Sequence, residues 1–160
     1  MADWSDFFVA QAGASAALTG LIFVGISISL SELIKFPHLL LRAAASLVLL
    51  LSVFVTSSLL LAPKQSIHTA GLEVLAVGVI SLLITTSLGV SGIRKAEAEY
   101  RRFASISVIM ILFTTIPFVI AGIVMLTSGD NGLYWLLPAF VFAFVVALVD
   151  GWILLVETHR

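Results

Sequence analysis

Five apolar runs dominate this chain, at about residues 7–31, 39–62, 69–91, 103–127 and 133–156, and only short polar breaks separate them. About 20 helical residues match a hydrocarbon core of ~30 Å, so each run is long enough to cross a bilayer with some tilt. Little of the 160 residues is left for anything else. The composition says the same: 61% of the residues are hydrophobic, 11% are charged, and the mean hydropathy is +1.19. Soluble domains average roughly 45–50% and about 25%. The expected fold is an all-α, polytopic transmembrane bundle of five transmembrane helices, with residues 1–160 forming a single transmembrane domain.

That composition excludes several functions. A formal net charge of −1 with eight Lys and Arg leaves no basic stripe for nucleic acid. Without cysteine there is no disulfide, no thiolate nucleophile and no Cys-ligated metal. His38, His68 and His159 fall in three separate breaks, so no pair has the spacing of a metal site. Serines and threonines in spans usually bond their own helix, and no Ser-His-Asp set can be assembled at one depth. Glycines lie inside apolar runs and not between a strand and a helix, as a phosphate loop would require. The chain is therefore expected to be non-enzymatic, without cofactor or metal, and to have the lipid bilayer as its first partner.

Local signals mark the breaks. Asp3 and Asp6 stand where a secretory signal would carry Lys or Arg, so the first run is expected to be a retained span. Pro37 suits the first turn of the second helix, and Pro63 stops it. Pro117 lies mid-run in the fourth span and predicts a kink there, with Thr114 or a neighbouring helix satisfying the freed carbonyl. Ser128 to Gly132 reads as a turn, with the last span starting at Leu133. Trp4, Phe7, Phe8, Tyr134, Trp135 and Trp152 stand at span ends, as interfacial aromatics do. Residues 94–102 alternate basic and acidic groups and predict a solvated helical extension.

Along the first run, Gly13, Ala17, Gly20, Val24, Ser27 and Ser31 recur at alternating steps of four and three, which keeps them on one helix face. A seam of small residues lets another backbone approach closely, or lines a narrow polar passage. The third run has a second such seam, Gly71, Gly78, Ser81, Thr85, Gly89 and Gly92, and the two are expected to pair.

Four ionisable residues are candidate ion or ion-pair sites. Asp150 precedes Glu157 by two turns, hence roughly 10 Å inside that end of the last span. A carboxylate at a helix centre costs on the order of 2.5–3.5 kcal/mol, and somewhat less near the interface. Arg42, at similar depth from the same side, is its natural partner; a cation or proton site is the alternative. Glu73 sits one turn into the third span, where the positive end of the helix dipole favours a carboxylate. Were several copies to surround one axis, Glu73 and Glu32 would form acidic rings at opposite mouths.

The blocks Trp4-Ser5-Asp6-Phe7-Phe8-Val9 and Gly13-Ala14-Ser15-Ala16-Ala17-Leu18-Thr19-Gly20-Leu21-Ile22-Phe23-Val24 resemble a family of small bacterial integral membrane proteins. The closing segment, Gly132-Leu133-Tyr134-Trp135 with Pro138 and Trp152 to Glu157, is similar to that family too. The resemblance implies a place in the bacterial cytoplasmic (inner) membrane and transfers no catalytic residue. Modulation of a membrane-anchored protease is one role it suggests.

Three function classes follow. The first is a homo-oligomeric channel or pore with the first helix near its symmetry axis. The alternatives are a regulatory or accessory subunit of a larger membrane complex and a purely architectural membrane protein.

Orientation follows from basic residues. Lys35, Arg42, Arg94, Lys95, Arg101, Arg102 and Arg160 share the side reached by the first and third breaks and the C-terminus, and only Lys64 lies opposite. Basic residues favour the cytoplasm, so the N-terminus is expected outside and the C-terminus inside. In a cysteine-accessibility scan of intact cells, positions 94–102 should be shielded from an impermeant reagent and position 64 labelled. The reverse pattern would contradict this orientation.

Overall fold

In hydrocarbon every backbone N–H and C=O must find its partner inside the chain, so apolar runs of this length become helices. The computed structural model describes residues 4–95 and 101–157, and their side chains except at 32, 95, 101–104 and 154–157. It is all-α, with α1 at Ser5–Leu33, α2 at Pro37–Leu60, α3 at Ile67–Lys95, α4 at Arg101–Ser128 and α5 at Leu136–Glu157. A 3₁₀ segment, Gly129–Trp135, joins α4 to α5. Among the described residues four stretches are long and apolar enough to cross a membrane, which is consistent with an integral membrane protein. They are Ser5–Ser31, Pro37–Leu60, Ile67–Arg94 and a 49-residue run, Ser105–Ile153, that contains α4, the 3₁₀ segment and α5.

Pro37 is the first residue of α2, with Phe36 at the cap, so the missing N–H falls where the helix has no use for it. The expected turn at Ser128 to Gly132 is instead the start of the 3₁₀ segment. Gly129, at φ 66°, ends α4 in a left-handed conformation that glycine adopts freely, and the tighter helix then runs straight into α5. The last α-helix consequently begins at Leu136 and not at Leu133. The chain reverses here. Phe118 of α4 and Phe140 of α5 have ring centroids 5.5 Å apart, whereas 22 residues of straight helix would separate them by about 33 Å. The central part of the charged segment, residues 96–100, lies outside the described residues.

Neighbours pack in a chain of pairs: α1 on α2, α2 on α3, α3 on α4 and α4 on α5, with α5 closing back on α2 and α1. Half of the apolar window of α2 is buried inside the protein against 17% of that of α1, so α2 is the central helix and α1 the peripheral one. An aromatic cluster pins the start of α1: Trp4 meets Tyr134 at 5.0 Å and Phe7 stacks on Phe140 at 5.9 Å. Phe8 is thereby buried and is no interfacial anchor.

The expected pairing of the two small-residue seams is not formed, because the described residues of α1 and α3 do not touch. The α3 seam meets α4 instead. A Cβ on Gly71 would stand 3.0 Å from Met125 Cβ, one on Gly78 would stand 3.0 Å from the Val119 backbone N, and one on Gly89 would stand 2.7 Å from Val108 Cγ2. The notch is reciprocal: a Cβ on Gly122 of α4 would lie 2.6 Å from Leu75 Cα. Glycines on both helices thus take the neighbour's bulk in alternation, and α4, next in sequence and antiparallel, is the helix that carries the matching shape.

Hydroxyls along this interface return to their own helices. Ser81 donates to Gly78 O at 3.0 Å, Thr85 to Ser81 O at 2.6 Å and Thr115 to Ile111 O at 2.9 Å. Thr114 also bonds its own helix, at Met110 O, 2.9 Å away, and so does not serve the Phe113 carbonyl that Pro117 leaves without its donor. The notch generates a prediction. Gly122→Ala should destabilise the detergent-solubilised protein by about 1–3 kcal/mol through overpacking. Gly13→Ala, with nothing among the described residues of the subunit within 4 Å of the added Cβ, should change the stability of the monomeric subunit by no more than ~0.5 kcal/mol, as read by thermal unfolding.

Candidate functional site

Arg42 lies in the second turn of α2 and Ser46 one turn further on the same face, while Asp150 lies near the end of α5. The packing of α2 against α5 brings the three together. Arg42 Nε donates to Asp150 Oδ1 at 2.5 Å, and Ser46 Oγ donates to Oδ2. Asp150 is 4% exposed and Ser46 fully buried, with Ala43 and Ala147 buried beside them. Both carboxylate oxygens are therefore engaged, one by a fixed cation and one by a hydroxyl. Such a cluster is electrically neutral and holds two helices in register. It leaves no carboxylate oxygen without a donor, so a cation entering the site would have to compete with the Arg42 guanidinium.

The other candidate carboxylates are differently placed. Glu73 is half-buried, and Gln65 Nε2 donates to its Oε2 at 2.5 Å, tying the α2–α3 connection to the second turn of α3. Glu32 belongs to the last turn of α1, and its side chain lies outside the described residues. His38 stands at the start of α2 against Phe36, with ring centroids 6.2 Å apart; His68 is exposed at the start of α3, and His159 lies outside the described residues. Among the described residues no three His, Cys, Asp or Glu are grouped as a metal would need.

All six residues of the α1 seam, Gly13, Ala17, Gly20, Val24, Ser27 and Ser31, are exposed. What α1 buries is a different heptad row, Phe8, Ser15, Ile22 and Ser29. Two residues separate Gly20 from Ile22, about 200° of helical turn, so the small face points away from the rest of the chain. Among the described residues, a Cβ at Gly13 or Gly20 would meet nothing within 4 Å. Ser27 Oγ is satisfied within its helix by Phe23 O at 2.8 Å.

Three features were not foreseen from sequence. Ser46 was missed as a ligand of Asp150, although its place one turn beyond Arg42 was a usable signal. The Gln65 amide on Glu73 was missed as well. Thr56 and Ser57, both fully buried in α2, have hydroxyls with no hydrogen-bond partner among the described residues, and no residue pattern announces that.

Removing one member of a buried pair strands the other and typically costs about 3–5 kcal/mol. Arg42→Ala and Asp150→Asn should each lower the unfolding midpoint in detergent, and the double variant should lose clearly less than the two losses added. Strict additivity would contradict a direct interaction. Comparison with protein-family models, curated proteins and solved structures finds no match for this chain.

Proposed function

We propose that the protein is a five-span integral membrane protein of the bacterial inner membrane that works as a homo-oligomer, a non-enzymatic, channel-like assembly with α1 near the symmetry axis. The 49-residue run would cross twice, since the Phe118–Phe140 contact folds α4 back on α5. Basic residues then place the N-terminus outside and the C-terminus in the cytoplasm.

The observation that carries the reading is the outward small-residue face of α1. Lipid offers helices little hydrophobic drive to associate, and small residues are the means by which backbones come close enough for van der Waals contact. Within this chain the α3 seam does that against α4, and among the described residues the α1 seam has no such neighbour. A second copy brought up in ring symmetry would supply one. Near the axis, Ser27, Ser31 and Glu32 would then give the inner end its polarity.

Two measurements test the two halves of this proposal. Gly20→Leu should reduce the oligomer to monomer in native mass spectrometry while leaving the helical circular dichroism of the subunit unchanged, because among the described residues nothing lies within 4 Å of a Cβ at Gly20. An oligomer mass unaffected by that change contradicts assembly through α1. Purified protein in planar bilayers should conduct, and Glu32→Gln should lower the conductance. A stable oligomer that passes no current would remove the pore and leave the assembly.

A further inference from the structure

A groove of about 600 Å³ runs along the outside of the bundle between α3 and α4, apart from both the ion pair and the α1 face. On α3 it is lined by Leu83, Ser87, Val90 and Arg94, whose steps of four, three and four keep them on one stripe, and Leu112 of α4 also lines it. Its character changes along its length. Leu83 and Leu112 make one end apolar, Ser87 and Ser91 bring hydroxyls, and the Arg94 guanidinium stands exposed at the other end. No ion pair to Arg94 forms among the described residues.

Eleven residues from Leu83 to Arg94 rise ~16 Å, about half of a ~30 Å hydrocarbon core. The groove therefore extends from mid-membrane to one interface, the depth of a single leaflet. A guanidinium matches a phosphate in charge and geometry, and basic sites between helices at this level suit anionic headgroups. Two turns deeper in the groove than Arg94, the Thr86 hydroxyl oxygen is shielded and has no partner among the described residues, whereas Thr85 returns its hydroxyl to Ser81 O at 2.6 Å.

We infer that this groove holds an anionic phospholipid of the leaflet on the Arg94 side, with its phosphate on the Arg94 guanidinium and an acyl chain along Leu83 and Leu112. Ser91, one turn deeper than Arg94, stands at the level of the lipid's ester groups. The inference rests on the membrane-spanning reading and is independent of the oligomer.

The test uses the full chain in nanodiscs of equal parts phosphatidylcholine and phosphatidylglycerol, re-extracted in mild detergent, with retained lipid counted by native mass spectrometry. The unaltered protein should retain phosphatidylglycerol in preference to phosphatidylcholine. Arg94→Gln should lower retained phosphatidylglycerol about fivefold, the contribution of one arginine near an anionic surface. Ser87→Phe, which fills the groove and leaves the charge, should lower it at least as much, and both variants should unfold at the midpoint of the unaltered protein. Absence of the preference overturns the inference, as does undiminished retention in either variant. A loss confined to Arg94→Gln would mean diffuse surface attraction and no groove site. Protein that fails to enter the discs overturns the membrane reading along with this one; protein that enters them and shows no preference overturns only this one.

Discussion

Most polar groups placed in apolar surroundings are answered from within the chain, and much of this structure follows from that demand; the buried Thr56 and Ser57 hydroxyls, with no partner among the described residues, stand apart from it. It turns the long apolar runs into helices, since only a helix pairs its backbone groups locally. It sends the hydroxyls of Ser81, Thr85, Thr114 and Thr115 back to carbonyls of their own turns. It also explains why Asp150 takes Arg42 on one oxygen and Ser46 on the other, since a carboxylate left bare there would cost several kcal/mol. The cluster in turn fixes how α5 sits on the central helix α2.

Small residues solve the complementary problem of bringing helices together where water does not push them. Along α3 they are answered by α4, glycine against bulk on both sides, and the two backbones approach closely. Along α1 the same kind of pattern faces outward. The difference does not lie in the seams themselves. It lies in what the rest of the bundle presents to them: α1 is held by its other heptad row, Phe8 to Ser29, and by the aromatic cluster at its start.

How much of this was legible beforehand depended on range. Helix positions followed from run length and from Pro37, because both act locally. The depth of Asp150 and of Arg42 can be counted in turns from the span ends, and the structure pairs these two residues. Contact partners were less accessible. Seam spacing says that a face is small and is silent on which helix fills it, so it cannot tell that the α3 seam meets α4 and not α1. The 3₁₀ segment was hidden for a related reason: Gly129 and its neighbours signal a reversal, yet the Leu133 and Leu136 contacts that draw the segment against the bundle are tertiary. The groove between α3 and α4 could not be seen at all, since Leu112 comes from a second helix.

The central claim is that protein, and not lipid, covers the small-residue face of α1. Oxygen accessibility of nitroxide labels in bilayers measures this directly, because oxygen concentrates among acyl chains and is scarce between packed helices. Labels at Ala17, Gly20 and Val24 should show values well below those at Leu83, which lies on the outer face of α3. Accessibility at the three α1 positions equal to that at Leu83 would contradict the account.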